Sequence, residues 1–203
     1  MRLLTINSKM KNTGIKFSTR VMNFGIVAYK SSTGRITCPF AGSCADICYA
    51  RKGTYRFKNS RNAYEDRYQA TLSDDFVDLM SANIMIENPT YVRIHDSGDF
   101  YSKKYLYKWI EIMNRFPNVR FYAYTNSVAL IKESIDDLPD NFDYIFSTNG
   151  KQSHLIDFNS DRHAIIFATS NDMEKSKYVN ASEHDLYATR WHNNDIRVGL
   201  IKH

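Results

Sequence analysis

Residues 90–125, TYVRIHDSGDFYSKKYLYKWIEIMNRFPNVRFYAYT, decide the fold. TYVRIHD (90–96) is rich in β-branched and aromatic side chains and reads as a strand. SGDFYS (97–102) is polar and holds a glycine, so it reads as a loop. In KKYLYKWIEIMNRF (103–116), Leu106, Trp109, Ile110 and Met113 recur at i, i+3, i+4 and i+7, which makes one helical face apolar. Ser102 stands where it can cap that helix, and Pro117 where it can end it. NVRFYAYT (118–125) is the next strand. A strand, a crossover helix and a strand make a βαβ unit, which implies parallel pairing and a right-handed crossover.

The same alternation extends in both directions. Upstream, VMNFGIVAYK (21–30) reads as a strand, SSTG (31–34) as a turn, and SRNAYEDRYQATL (60–72) and SDDFVDLMSANIM (73–85) as helices, the second capped by Ser73. Downstream, SVALIKES and SNDMEKSKYV read as short helices, and FDYIFST, HAIIFAT and DIRVGLI as strands. Five or six strands are too few to close an eight-stranded barrel, so the expectation is an α/β fold with an open or partial barrel. Ligands of such sheets bind at the carboxyl ends of the strands. That rule selects DSGDF, TNS, STNG and TSND, each following a strand. No repeat or linker interrupts the chain. Residues 1–203 are expected to form a single domain, with an N-terminal extension over 1–20, a core over 21–170 and a C-terminal extension over 171–203.

Hydrophobic residues make up 43% of the 203, enough for a sizeable core. No apolar run of about 18 residues occurs, which argues against a membrane span. The N-terminus lacks the apolar segment of a secretory signal, so the expected compartment is the cytoplasm. Charge is lopsided. Residues 1–64 hold twelve Lys/Arg and one acid, Asp46, for a net +11, which leaves −6 for residues 65–203. That asymmetry points to an anionic partner, either a nucleotide-like substrate or nucleic acid, and the tyrosines and phenylalanines within CYARKGTYRFKNSRNAY suit base stacking. A solvated basic face is the plainer reading of the same run. No P-loop, GxGxxG, GxSxG or HExxH pattern is present.

All three cysteines, Cys38, Cys44 and Cys48, lie in TCPFAGSCADICYA (37–50). An odd number of cysteines in a cytosolic chain argues against disulfides. Thiolates are soft ligands for zinc, copper(I) or iron–sulfur clusters. Structural zinc normally takes four protein ligands, and no histidine lies near this block; His95, the nearest, is 47 residues beyond Cys48. A four-iron cluster held by three cysteines keeps one iron open. Three buried cysteines acting as small apolar side chains remain the alternative. At the strand end after TYVRIH, His95 and Asp99 are candidate acid–base groups. By strand alternation His95 shares a face with Arg93 and so would point into the barrel, although a hydrogen-bonded core histidine reads equally well.

Taken in order, these segments resemble the radical S-adenosylmethionine (SAM) superfamily, and the combination CPxxGSCxxxCYA with RxHxSGDF also resembles poorly characterised phage-encoded relatives of it. The resemblance covers roughly residues 20–170. It implies a partial (β/α)6 barrel of mostly parallel strands, a [4Fe-4S] cluster on Cys38, Cys44 and Cys48, and SAM on the open iron. It also implies an electron donor and reductive SAM cleavage acting on a substrate the sequence leaves unnamed. Carried over by position, Tyr49 approaches the adenine, Ser97, Gly98 and Asp99 meet the methionyl amine, and Thr125, Asn126, Ser147 and Asn149 line the SAM or substrate side. A cluster or zinc protein without turnover, binding nucleic acid or a protein partner, is the alternative function.

Overall fold

The computed structural model describes residues 1–202. Its helices are α1 (Ser8–Lys16), α2 (Cys44–Ile47), α3 (Lys58–Leu72), α4 (Phe76–Glu87), α5 (Lys103–Arg115), α6 (Val128–Glu133) and α7 (Ser170–Lys175). Its strands are β1 (Val21–Phe24), β2 (Tyr91–Ile94), β3 (Arg120–Thr125), β4 (Phe142–Ser147), β5 (His163–Phe167), β6 (Val179–Asn180) and β7 (Arg197–Ile201). The seven strands form one sheet in the order β1-β2-β3-β4-β5-β7-β6, curled into a half-barrel, and every neighbouring pair is parallel.

Side-chain alternation divides the sheet into two faces. Met22, Phe24, Val92, Ile94, Phe121 and Ala123 face the layer of helices and join Tyr105, Leu106, Trp109 and Met113 of α5 in the larger core. Val21, Tyr91, Tyr122, Ile145, Ala164 and Val198 face the concave side, where Met10 of α1 and Ala181, Leu186 and Ala188 cover them. In this way both ends of the chain pack into the half-barrel. The edge strand β1 is also protected: Thr5 exchanges backbone hydrogen bonds of 2.9 and 2.8 Å with Asn23, which satisfies edge groups that would otherwise invite a second sheet.

Several local expectations need correction. The strand read over 21–30 ends at Phe24, because the next residue, Gly25, lies against Asp96; a Cβ there would stand 1.9 Å from the Asp96 carboxylate. Ser73 does not cap α4. Its backbone N–H closes the end of α3, and Asp75 takes the cap position. The segment after residue 170 supplies β6 and β7, and β7, the strand read from DIRVGLI, pairs with β5 along five residues. Ser102 does cap α5, accepting from the Tyr105 N–H at 3.2 Å.

Candidate functional site

The carboxyl end of β2 turns sharply. His95 has φ 67° and Gly98 φ 86°. A Cβ on Gly98 would lie 2.2 Å from Ile26 Cγ1, so this bend requires glycine. The positive φ at His95 turns its ring away from the concave face and corrects the alternation expectation. The ring is buried beside Phe24 and Phe100, and Nε2 lies 2.9 Å from the Tyr105 hydroxyl. Burial, reinforced by the Arg93 charge, lowers its pKa to about 3, which keeps it neutral. Asp96 accepts from Asn23 Nδ2 at 2.7 Å and from the Tyr64 hydroxyl at 3.0 Å.

Asp99 ties β2 to β3. Its carboxylate accepts from the Thr125 hydroxyl at 2.6 Å, the Phe100 N–H at 2.7 Å and the Asn126 N–H at 2.9 Å. Burial raises its pKa to about 6 against the pull of those donors. Most of its acceptor capacity is therefore engaged in joining the two strand ends. Asn126 keeps spare capacity: its side-chain Oδ1 is buried without a partner, as is the Ser97 hydroxyl.

The cysteine loop is fastened across this rim. Thr37 donates its N–H to the Tyr29 carbonyl at 3.0 Å and its hydroxyl to the Val27 carbonyl at 2.7 Å, while its own carbonyl accepts from the Asp99 N–H at 3.1 Å. On the far side, the Cys44 N–H meets the Asn149 carbonyl at 3.1 Å, and the Lys151 N–H meets the Phe40 carbonyl at 2.8 Å. Gly42, at φ 53°, permits this docking; a Cβ would lie 2.9 Å from the Asn149 carbonyl oxygen. Asn149 thus acts through its backbone, and Ser147 sits half-buried at the end of β4. Tyr49 donates its hydroxyl to the Asp96 carbonyl, anchoring the residue after Cys48 to the β2 end.

The sulfurs of Cys38, Cys44 and Cys48 are free and half-buried. Burial raises the Cys38 thiol to about 12 and the Cys44 thiol to about 11. Asp99 and the neighbouring thiols contribute to both shifts. Cys48 is also raised by burial, against the effect of Arg51. The Tyr29 N–H donates to the Cys38 sulfur at 3.4 Å, and Asn126 restrains the rise of the Cys44 thiol. Thiols in this state are poor nucleophiles, because reactivity follows the thiolate. A bound metal is what would deprotonate them. Among the described residues, no three His, Cys, Asp or Glu side chains converge on one ion position. A single zinc needs its sulfurs about 2.3 Å from a common centre. A multi-iron cluster instead places each thiolate on its own iron.

Below the loop, the concave face holds a buried charge cluster. Asp185 pairs with Lys9 Nζ at 2.7 Å and Arg93 Nη1 at 3.1 Å, and accepts from the Tyr122 hydroxyl at 2.9 Å. Burial alone would raise Asp185, but Arg93 and Lys9 outweigh it and hold the carboxyl below its usual range. Burial lowers Lys9 against the pull of Asp185. The Arg93 guanidinium lies 5.0 Å over the Tyr124 ring, and both Arg93 Nε and the Tyr124 hydroxyl lack partners. A cavity of about 230 Å³ opens here, lined by Lys9, Arg93, Tyr124 and Asp185 and bounded by Ile47 and Tyr49 of the cysteine loop. The sequence signal for Arg93 was a charge inside an apolar strand; Lys9 and Asp185 carried none.

These features define an α/β half-barrel protein with a thiol-bearing loop across the carboxyl ends of its strands and a charged chamber beneath. The chain belongs to the Gene product 88 family, whose model matches residues 2–203. It is similar to the Gene 88 protein of Mycobacterium phage D29, 29% identical over 138 residues, which is 57% of this chain and 58% of the relative. It is also similar to the Gene 88 protein of Mycobacterium phage L5, 28% identical over 130 residues, 53% of this chain and 54% of the relative. The matched regions thus span a little over half of each relative. No solved structure matches. The family match corrects the radical SAM resemblance while agreeing with its phage-encoded side. That resemblance rested on short loops. The superfamily usually places three and then two residues between its cysteines, whereas this chain places five and then three, and Ser97-Gly98-Asp99 stands in place of a Gly-Gly-Glu turn.

Proposed function

We propose that this chain is an iron–sulfur protein acting in the host cytoplasm, where thiols stay reduced. Cys38, Cys44 and Cys48 would hold a [4Fe-4S] cluster, leaving one iron for SAM. The observation that carries this reading is the placement of three protein thiols, without a fourth cysteine in the chain, across the rim formed by the ends of β2, β3 and β4. Such a cluster supplies one electron from an external donor and a coordination position for the ligand's amine and carboxylate.

The protein's own part is orientation. Asp99 fixes the β2 and β3 ends together, and Gly98 permits the bend against Ile26 that carries Ser97 and Asp99 to the rim. Asn126, just past the end of β3, would line the ligand's side of the rim. Tyr49 closes the loop over the chamber. The chamber suits a small anionic substrate: Lys9 and Arg93 carry two positive charges against one on Asp185, and Arg93 Nε and the Tyr124 hydroxyl await partners.

The test is anaerobic reconstitution with iron and sulfide, followed by metal analysis. About four irons per chain and a brown chromophore lost in Cys44→Ser are expected. With dithionite, the loaded protein should convert SAM to methionine and 5′-deoxyadenosine. A colourless protein containing zinc in place of iron would overturn the reading.

A further inference from the structure

The basic first third of the chain has a definite place. Two cavities, about 230 and 400 Å³, share Val27, Lys30, Arg56 and Arg61 and so join into one groove on the outer side of the β1 end, between the cysteine loop and α3. Lys30, Arg51, Arg56, Lys58 and Arg61 line it, against a single carboxylate, Glu65. Glu65 is already engaged, accepting from the Ser32 N–H at 2.9 Å and from Gln69 at 3.0 Å. Among the described residues, none of these five cations forms an ion pair. Some cations elsewhere on the surface do: Arg20 pairs with Glu87, and Arg115 with Asp78 and Glu111.

Aromatic and polar groups complete the groove. Tyr55 and Tyr64 lie side by side with ring centroids 5.2 Å apart, both half-buried. Ser97, only 5% exposed, also lines the groove, and its hydroxyl has no partner. Unpaired cations gathered this closely repel one another, and a polyanion is the counter-charge that relieves the repulsion. A recessed, tyrosine-lined groove also favours a ligand whose bases are free to leave the stack.

We propose that this groove binds single-stranded nucleic acid, with the lysines and arginines on its phosphates and Tyr55 against a base. The reading is independent of any cluster, although Ala50 and Arg51 set the groove just after Cys48, so a bound strand would lie beside the cysteine loop.

The test is fluorescence anisotropy with a labelled oligothymidylate, using the full-length protein. Binding should weaken steeply between about 50 and about 200 mM salt. Arg56→Glu/Arg61→Glu should weaken it about tenfold or more and flatten the log–log salt slope by about 1.4, at about 0.7 per phosphate contact. Lys175→Glu/Lys177→Glu makes the same change in net charge on an exposed surface after β5 and should leave most of the binding. Equal losses in the two variants, or no binding at the lower salt, would overturn the proposal. So would groove-dependent binding of ATP without binding of the oligonucleotide.

Discussion

A single backbone angle sets the character of His95. In an ordinary strand continuation the imidazole would follow Arg93 into the charged chamber and be available for proton transfer. At φ 67° it packs instead among Phe24, Phe100 and Tyr105. The consequence can be measured through linkage. The folded-state pKa of about 3 lies below the ordinary histidine value of 6.5. Between those values the unfolded chain takes a proton that the folded chain refuses. The stability that neutral His95 contributes is therefore complete above pH 6.5 and drains away as pH falls towards 3. His95→Gln removes the titration while keeping a polar partner for Tyr105. In urea denaturation, the stability gap between the parent and His95→Gln should shrink as pH is lowered from about 7 to about 4. A gap that stays constant would mean that the ring titrates alike in both states.

At the scale of elements, α5 shows how local pattern becomes packing. Its apolar stripe places Trp109, fully buried, among Phe24, Phe76 and Phe121. Trp109→Ala should cost about 3–5 kcal/mol of unfolding free energy in a denaturant titration, since the ring leaves a cavity that three other aromatics frame. A cost under about 1 kcal/mol would show that the core collapses around the gap. This helix and strands β2 to β5 were legible from sequence because each carries enough residues to display its period. Other elements were not. α1, SKMKNTGIK, buries only Met10 and Thr13, too few for a stripe. β6 is two residues long, and α2 is a single turn inside the cysteine loop. Of the candidate site, the cysteines and the Ser97–Asp99 turn were legible because spacing and a glycine mark them. Nothing in the sequence showed that Asp99 would be occupied in joining β2 to β3, because its partners Thr125 and Asn126 lie 26 and 27 residues on, at the end of β3.

The whole molecule is held by contacts that no local pattern encodes. Lys9, Arg93 and Asp185 come from the first helix, the second strand and the C-terminal segment, yet they meet in one buried cluster that fastens both chain ends to the concave face. The Thr13 hydroxyl accepts from the Asp185 N–H at 3.0 Å and adds a further link between those ends. A buried ion cluster gains little over apolar packing, but removing one member leaves the others uncompensated. Among the described residues Asp185 is the acid paired with both Lys9 and Arg93, and Asp185→Asn should cost about 3–5 kcal/mol. The loss should also be regional. Amide exchange should speed up in α1 and around residues 181–192, while the α5 core keeps its protection. Because the native Asp185 pKa is held below its ordinary 3.8, its share of stability is present above that value and disappears as pH falls through the lower, folded-state pKa. The parent protein should therefore release its two ends in strong acid, whereas Asp185→Asn should have them loosened already at neutral pH. Uniform exchange across the molecule in the variant would show that the ends and the sheet unfold as a single unit, and that the cluster supports the entire half-barrel.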